Sequence, residues 1–514
     1  MQRTLPAALG LAAAAAFTLL SAAPASAEGP QNAARPAAAA SAATLEDLSA
    51  AELVRQYADT RFQEDLLAMQ AYRPGYAFWQ HVFRIPDGSV AFGSAVDGRL
   101  LAVFPARGDW TREGVWDDPS LRKVLTRQNL SKNLGDRRDQ VAQLLERVVG
   151  PVVHNPTRGL FVAPNAERYG RFLEEWGRIY ERFGVPAELG LAQGLIESGL
   201  NGTVRSEARA IGFCQWLMGN WNMLKRLSPH VIEGYNQTTQ VPYCAAYLTV
   251  LATKYGSYIP ALSEHHAGGT NVGRTISNGE RLGGSNVRER YLLGAAFTRD
   301  IRAIAPRSYR DVYGTYGPRS YYYSEMVFGN MFNVRRIMES QKQVRIHAMR
   351  TKRALPISEI QRRTRLSVDE IRRYNPALVR QVPARATLYL PQQVDAFGTD
   401  VTFWHRPAPR AFTEALADFM ALDYPLTAWD TEEIVPVLRR FEQRFRNTRS
   451  EEGTVMATVL GYVIHEIQTS GRGRILAEFR TSPQVRELFE QAVLEREAAL
   501  ASRTAGSSTV GAAR

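Results

Sequence analysis

Cysteine is nearly absent from this chain of 514 residues, which holds only Cys214 and Cys244. Neither lies near the N-terminus, so a lipid-anchored exported form, which requires a Cys at its new N-terminus, is excluded. Long apolar runs are missing as well. A membrane anchor needs roughly 18 or more apolar residues with suitable flanks, and the run at residues 9–20 is shorter. It follows the positive Met1-Gln2-Arg3 and precedes the small residues Ala25-Ser26-Ala27, which is the order of a cleaved signal peptide. The mature chain is therefore expected to begin near Glu28, in the periplasm, soluble and without stable membrane insertion. Zinc-finger spacings and RNA-binding aromatic strings are also absent, so with export the formal charge of +12 argues for an anionic partner other than nucleic acid. In an oxidising compartment the two cysteines can pair. A bridge would contribute roughly 3 kcal/mol on the loop-entropy model. Two buried thiols remain the alternative, since spacing alone does not show that their Cβ atoms meet.

The chain is too long for one ordinary domain of roughly 100–200 residues, and its 45% apolar content is enough for sizeable cores. Disorder is expected at the ends: an Ala-rich leader at 28–44 and a Ser/Gly/Ala tail at 501–514. Residues 45–164 begin with helical periodicity (Leu48, Leu53, Tyr57). They continue with strand-like runs at 89–92 and 100–104, an α+β region to which no chemistry attaches. Residues 168–182 read as one amphipathic helix whose stripe of Tyr169, Phe172, Leu173, Trp176, Ile179 and Tyr180 is core.

After Gly184 the pattern changes. Pro186 suits a helix's first turn, and Leu189, Leu191, Ala192, Leu195 and Ile196 make the following helix apolar on nearly every side, with Gly199 or Gly202 to end it. Glu197 lies within this greasy segment, where desolvation and the negative end of the helix dipole both oppose ionisation. A carboxyl kept protonated near neutrality is what donation to a glycosidic oxygen requires.

Glu197-Ser198 is followed by Ala210-Ile211-Gly212-Phe213-Cys214-Gln215-Trp216, then by His265-His266-Ala267-Gly268-Gly269, then by Arg319-Ser320-Tyr321-Tyr322. In this order the motifs resemble the goose-lysozyme-like catalytic domain of lytic murein transglycosylases, nearest the murein transglycosylase D type, over residues 165–343. The resemblance implies a mainly α fold, peptidoglycan glycan strands as substrate and Glu197 as the one catalytic acid and base. Ser198, Gly212, Gln215, His265, His266, Gly268 and Tyr322 would hold the sugars. Gly268-Gly269 is expected to form a tight loop where a Cβ would clash. Trp216 would either stack on a sugar or belong to the core. The implied reaction gives a 1,6-anhydromuramic end with the substrate's N-acetyl group assisting, and needs no cofactor.

One motif departs from the family. Where it carries Ala-Tyr-Asn, this chain has Glu264-His265-His266. Glu207 and Glu264 are extra acids that could position a water, so a hydrolytic muramidase of lysozyme type is one alternative. A catalytically inactive glycan-binding scaffold is the other. Two adjacent histidines without further spaced ligands or an H-E-x-x-H pattern give no metal site. Residues 344–391 resemble a LysM module of βααβ order, with a capping-box start at Ser367 and Glu370. Its usual first turn is replaced by the basic Met349-Arg350-Thr351-Lys352-Arg353. The implied ligand is a glycan containing N-acetylglucosamine. A linker at 392–410 leads to a helical region at 411–500, expected to dock a partner protein, to fold back on the catalytic domain, or only to add stability.

Overall fold

The computed structural model describes residues 49–224, 228, 230–304, 318–391, 400–401, 408–422, 431–469, 483, 487 and 490. The expected signal peptide, leader and tail, most of the linker and most of the chain after residue 469 lie outside the described residues. Helix dominates, and the few strands pair antiparallel, in keeping with the mainly α expectation. Among the described residues no helix is long and apolar enough to cross a membrane.

The first helix, Ala50–Tyr72, starts at a capping box made by Ser49 and Glu52. It buries Val54, Ala58 and Met69 in the main core, together with Arg61 and Asp65. Arg61 donates to Thr253 Oγ1 at 3.2 Å and to the Met420 carbonyl. This helix is therefore part of the central body, although the 45–164 stretch read as one region. Of the rest, Phe78, Trp79, Val82, Phe83, Ala91 and Val162 also join the main core, while residues from Val90 to Leu145 build a second core on an antiparallel sheet of β1 (Ser89–Ser94), β2 (Leu100–Pro105), β3 (Val115–Trp116) and β4 (Val152–Pro156), in the order β3-β2-β1-β4. Helix Leu134–Val149 packs against this sheet, and Phe104 stacks on Trp110 with centroids 4.9 Å apart.

The expected single helix over 168–182 is instead two helices, Gly159–Tyr169 and Leu173–Arg182, joined by a 3₁₀ turn at Gly170–Phe172. The chain tightens at Gly170, where a Cβ would lie 2.5 Å from Ile337 Cγ2. All six residues of the predicted stripe are buried. At the centre runs helix Gln237–Tyr255, every residue of which is buried. Helices Ala187–Ser198, Leu173–Arg182 and Tyr258–Ala267 surround it.

Residues 347–390 take the expected strand–helix–helix–strand order: β5 (His347–Arg350), β6 (Leu355–Pro356), helices Ile357–Thr364 and Val368–Tyr374, β7 (Gln381–Val382) and β8 (Thr387–Leu390). β5 pairs with β8 and β6 with β7, and Ser367 Oγ caps the second helix by accepting from Glu370 N at 3.1 Å. This small unit is fastened to the body. Asn236 Nδ2 donates to the Tyr374 carbonyl at 2.8 Å, and the Thr239 and Tyr389 hydroxyls are 2.7 Å apart. The C-terminal helices Thr431–Asn447 and Glu451–Thr469 form an antiparallel pair, the second lying on the central helix. Of the three roles expected for this region, folding back on the body is the one observed.

Candidate functional site

Glu197 occupies the last turn of the buried helix Ala187–Ser198, next to the Gly199 cap. Its side chain is 13% exposed, so it reaches solvent while losing most of its hydration. Burial pushes its pKa from the ordinary 4.5 up to about 7; the Tyr323 hydroxyl, which donates to Oε1, opposes that rise. Tyr323 opens helix Tyr323–Ser340, which packs along the Glu197 helix. Gln193 is buried one turn before Glu197.

His265 is held beside this pair. Its Nε2 donates to the Cys214 carbonyl at 2.8 Å and stands 4.0 Å from Glu197 Oε1. A carbonyl only accepts, so the proton is fixed on Nε2 and Nδ1 is the acceptor nitrogen. Burial pulls the His265 pKa down to about 4, so near neutrality it brings no positive charge to Glu197. His266, exposed, stacks on the Tyr323 ring with centroids 4.4 Å apart and planes at 11°. Cys214 and Cys244 are bridged, with Cα atoms 6.1 Å apart, which ties the loop presenting that carbonyl to the central helix.

The loop itself is a hairpin turn closed by paired hydrogen bonds between Ile211 and Trp216. Gly212 adopts φ +81°, in the left-handed region, and a Cβ there would lie 2.3 Å from Gln240 Nε2. Gln240 braces the turn, accepting from Phe213 N at 2.6 Å and donating to the Gly234 carbonyl at 2.6 Å.

Several of the residues expected to hold sugar have partners of their own within the protein. Gln215 spends its amide on its own turn, donating to the Gly212 carbonyl at 2.9 Å, so those protons brace the loop. Ser198 is buried and its hydroxyl bonds back to the Gly194 carbonyl at 2.9 Å. At Gly268 an added Cβ would meet no protein atom, so the expected clash with a helix behind it is not found, and φ +78° is what favours glycine there. Tyr322 lies on Trp79, with centroids 5.5 Å apart, and Arg299 donates to its hydroxyl at 3.4 Å. It is Tyr323 that reaches Glu197. No local pattern singles Tyr323 out, because residues 323–330 of its helix are all buried. Trp216 is core, packed on Tyr247 and on Tyr462 of the C-terminal pair.

The two extra acids are not built into the site. Glu264 is buried and bound by the Lys254 ammonium and the Tyr255 hydroxyl, while Glu207 is an exposed loop residue. Among the described residues, no group of three His, Cys, Asp or Glu side chains is arranged to hold a metal ion. No protein-family model matches the chain, and no curated protein matches it. The site's chemistry therefore rests on its own geometry: one carboxyl, protonated near neutrality, held by a phenol and reachable from solvent.

Removing the Tyr323 hydroxyl removes the hydrogen bond that favours ionised Glu197. In Tyr323→Phe the Glu197 pKa should rise further above about 7. A reaction needing the protonated carboxyl loses rate as pH climbs through that pKa, so the alkaline limb of kcat/KM should move to higher pH. An unmoved limb, or one displaced to lower pH, would show that this bond does not set the ionisation.

Proposed function

We propose that the chain is an exported peptidoglycan lytic transglycosylase that cleaves the bond between N-acetylmuramic acid and N-acetylglucosamine. The observation that carries this reading is Glu197, buried in a helix end with its pKa raised to about 7 and, among the described residues, no second carboxylate bonded to it or to Tyr323. An inverting or retaining hydrolase uses two carboxyls, whereas a substrate-assisted reaction uses one. Glu197 would donate its proton to the leaving glycosidic oxygen while the substrate's N-acetyl carbonyl attacks the anomeric carbon. The carboxylate would then take the proton of the muramic C6 hydroxyl as that oxygen displaces the acetamido group. The bond between C6 oxygen and C1 closes the 1,6-anhydro ring, and Glu197 ends protonated, as it began. His266, flat and exposed over Tyr323, would form part of the wall against which the sugar lies. The unit at 347–390 would add glycan binding, in line with its likeness to LysM modules.

The test is mass spectrometry of fragments released from purified sacculi. Anhydro ends, lighter by one water than reducing ends, are expected to dominate. A digest dominated by reducing ends would make the enzyme a hydrolytic muramidase. Absence of released fragments would leave a glycan-binding scaffold.

A further inference from the structure

Positive charge is concentrated in the small unit that follows the catalytic body. Residues 344–391 hold 11 Lys and Arg against 3 Asp and Glu, a net of +8 within a chain of +12. The structure gathers part of it in one place. Residues 351–357 run alongside 380–386: Thr351 N donates to the Ala386 carbonyl at 2.9 Å, Arg385 N to the Thr351 carbonyl at 2.8 Å, and Ile357 N to the Arg380 carbonyl at 2.9 Å. Thr351 Oγ1 closes the end on the Pro383 carbonyl at 2.6 Å. Lys352 and Arg353 on one ribbon, and Arg380 and Arg385 on the other, are all exposed. Arg353 is engaged by Glu359; Lys352 and Arg385 have no ion pair among the described residues.

This end of the unit is joined to the loop beside Glu197. Thr387, two residues beyond Arg385, donates from its N at 3.0 Å and its Oγ1 at 2.8 Å to Glu233 Oε1. The neighbouring Gly234 carbonyl accepts from Gln240, whose other amide atom holds Phe213 in the loop beside Glu197. A ligand on the basic ribbons is thus held at a fixed place relative to the catalytic carboxyl.

We infer that these ribbons bind the free carboxylates of peptide stems, so that the enzyme engages peptide-bearing strands in preference to bare glycan. The inference rests on the proposed wall substrate. Carboxylates are the anions such a strand carries, and guanidinium forks match them in geometry. A bilayer surface fits less well, because interfacial binding buries an apolar face. In this unit the exposed large apolar side chain is Val379 alone among the described residues.

The experiment measures cosedimentation of the full chain, carrying Glu197→Gln so that the wall survives, with three probes: intact sacculi, sacculi stripped of peptides by an amidase, and phosphatidylglycerol vesicles. Combining Lys352→Glu with Arg385→Glu should weaken binding to intact sacculi by about tenfold at low salt, the neutral Lys352→Gln with Arg385→Gln by less. Both pairs should bind stripped sacculi as the parent does. Equal loss on stripped sacculi, no loss on intact ones, or a loss confined to vesicles would each overturn the inference. If the parent retains sacculi in this charge-dependent way yet the wild type releases no fragments, the transglycosylase reading fails by itself.

Discussion

Replacing Glu197 by glutamine is expected to cut fragment release from sacculi by a factor on the order of 10²–10⁴, the range for loss of a positioned proton donor. The same substitution should make the protein more stable at alkaline pH. Glutamine has the shape of the carboxyl and still accepts from Tyr323, but it cannot ionise. The wild-type carboxyl has a folded pKa of about 7 against an ordinary 4.5. Below about pH 4.5 both folded and unfolded chains hold the proton, and the shift has no effect on stability. From there to about pH 7 the unfolded chain releases its proton while the folded chain keeps it, so stability falls as pH rises. Above about pH 7 the full penalty, about 3 kcal/mol, is present and then constant. Thermal midpoints of the two proteins should therefore coincide in acid and separate above neutrality, with Glu197→Gln the higher. An active glutamine variant would remove Glu197 from the chemistry. A variant less stable than wild type at every pH would make the residue a structural one.

That the burial of Glu197 could be read without a structure has a local cause. Its helix is apolar on nearly every side, so burial of whatever acid it carries follows from neighbours within a few residues, and so does the direction of the pKa shift. The strands at 89–92 and 100–104, the order of the 347–390 unit and its Ser367 cap were legible for the same reason. What the sequence concealed depends on distant partners. Tyr323 lies 126 positions from Glu197, and nothing local separates it from Tyr322. His265 looked like a sugar ligand, yet its proton is claimed by the Cys214 carbonyl 51 positions away. Glu264 looked able to activate water until Lys254 and Tyr255, from the preceding helix, were found on it. Gln215 is different again: a residue at φ +51° in a tight hairpin turns its amide NH2 back onto the backbone, and composition cannot reveal that turn.

Asp65 extends the same lesson to stability. It is fully buried on the first helix and accepts from Ser257 Oγ, from Tyr258 N and from Arg288 Nε, each at 2.6 Å. Burial still raises its pKa to about 6, so desolvation outweighs these favourable contacts in its ionisation. Such a site is not a large net gain over an apolar one, but breaking it by removing one partner leaves the rest buried and unpaired. In Asp65→Ala, Arg288 keeps Glu64 at 2.9 Å and the Gly256 carbonyl at 2.7 Å, yet Ser257 and the Tyr258 amide lose their acceptor. The expected cost is about 3–5 kcal/mol, read as a lowered unfolding midpoint. Asp65→Asn, which retains one acceptor oxygen, should cost less. Fragment release should fall as well, because Ser257 caps helix Tyr258–Ala267, accepting from Ile259 N at 3.2 Å, and that helix carries His265 and His266 to Glu197 and Tyr323. A loss below about 1 kcal/mol in Asp65→Ala would mean that water or a shifted Arg288 replaces the carboxylate. The first helix would then be an accessory to the central body, not a brace for it.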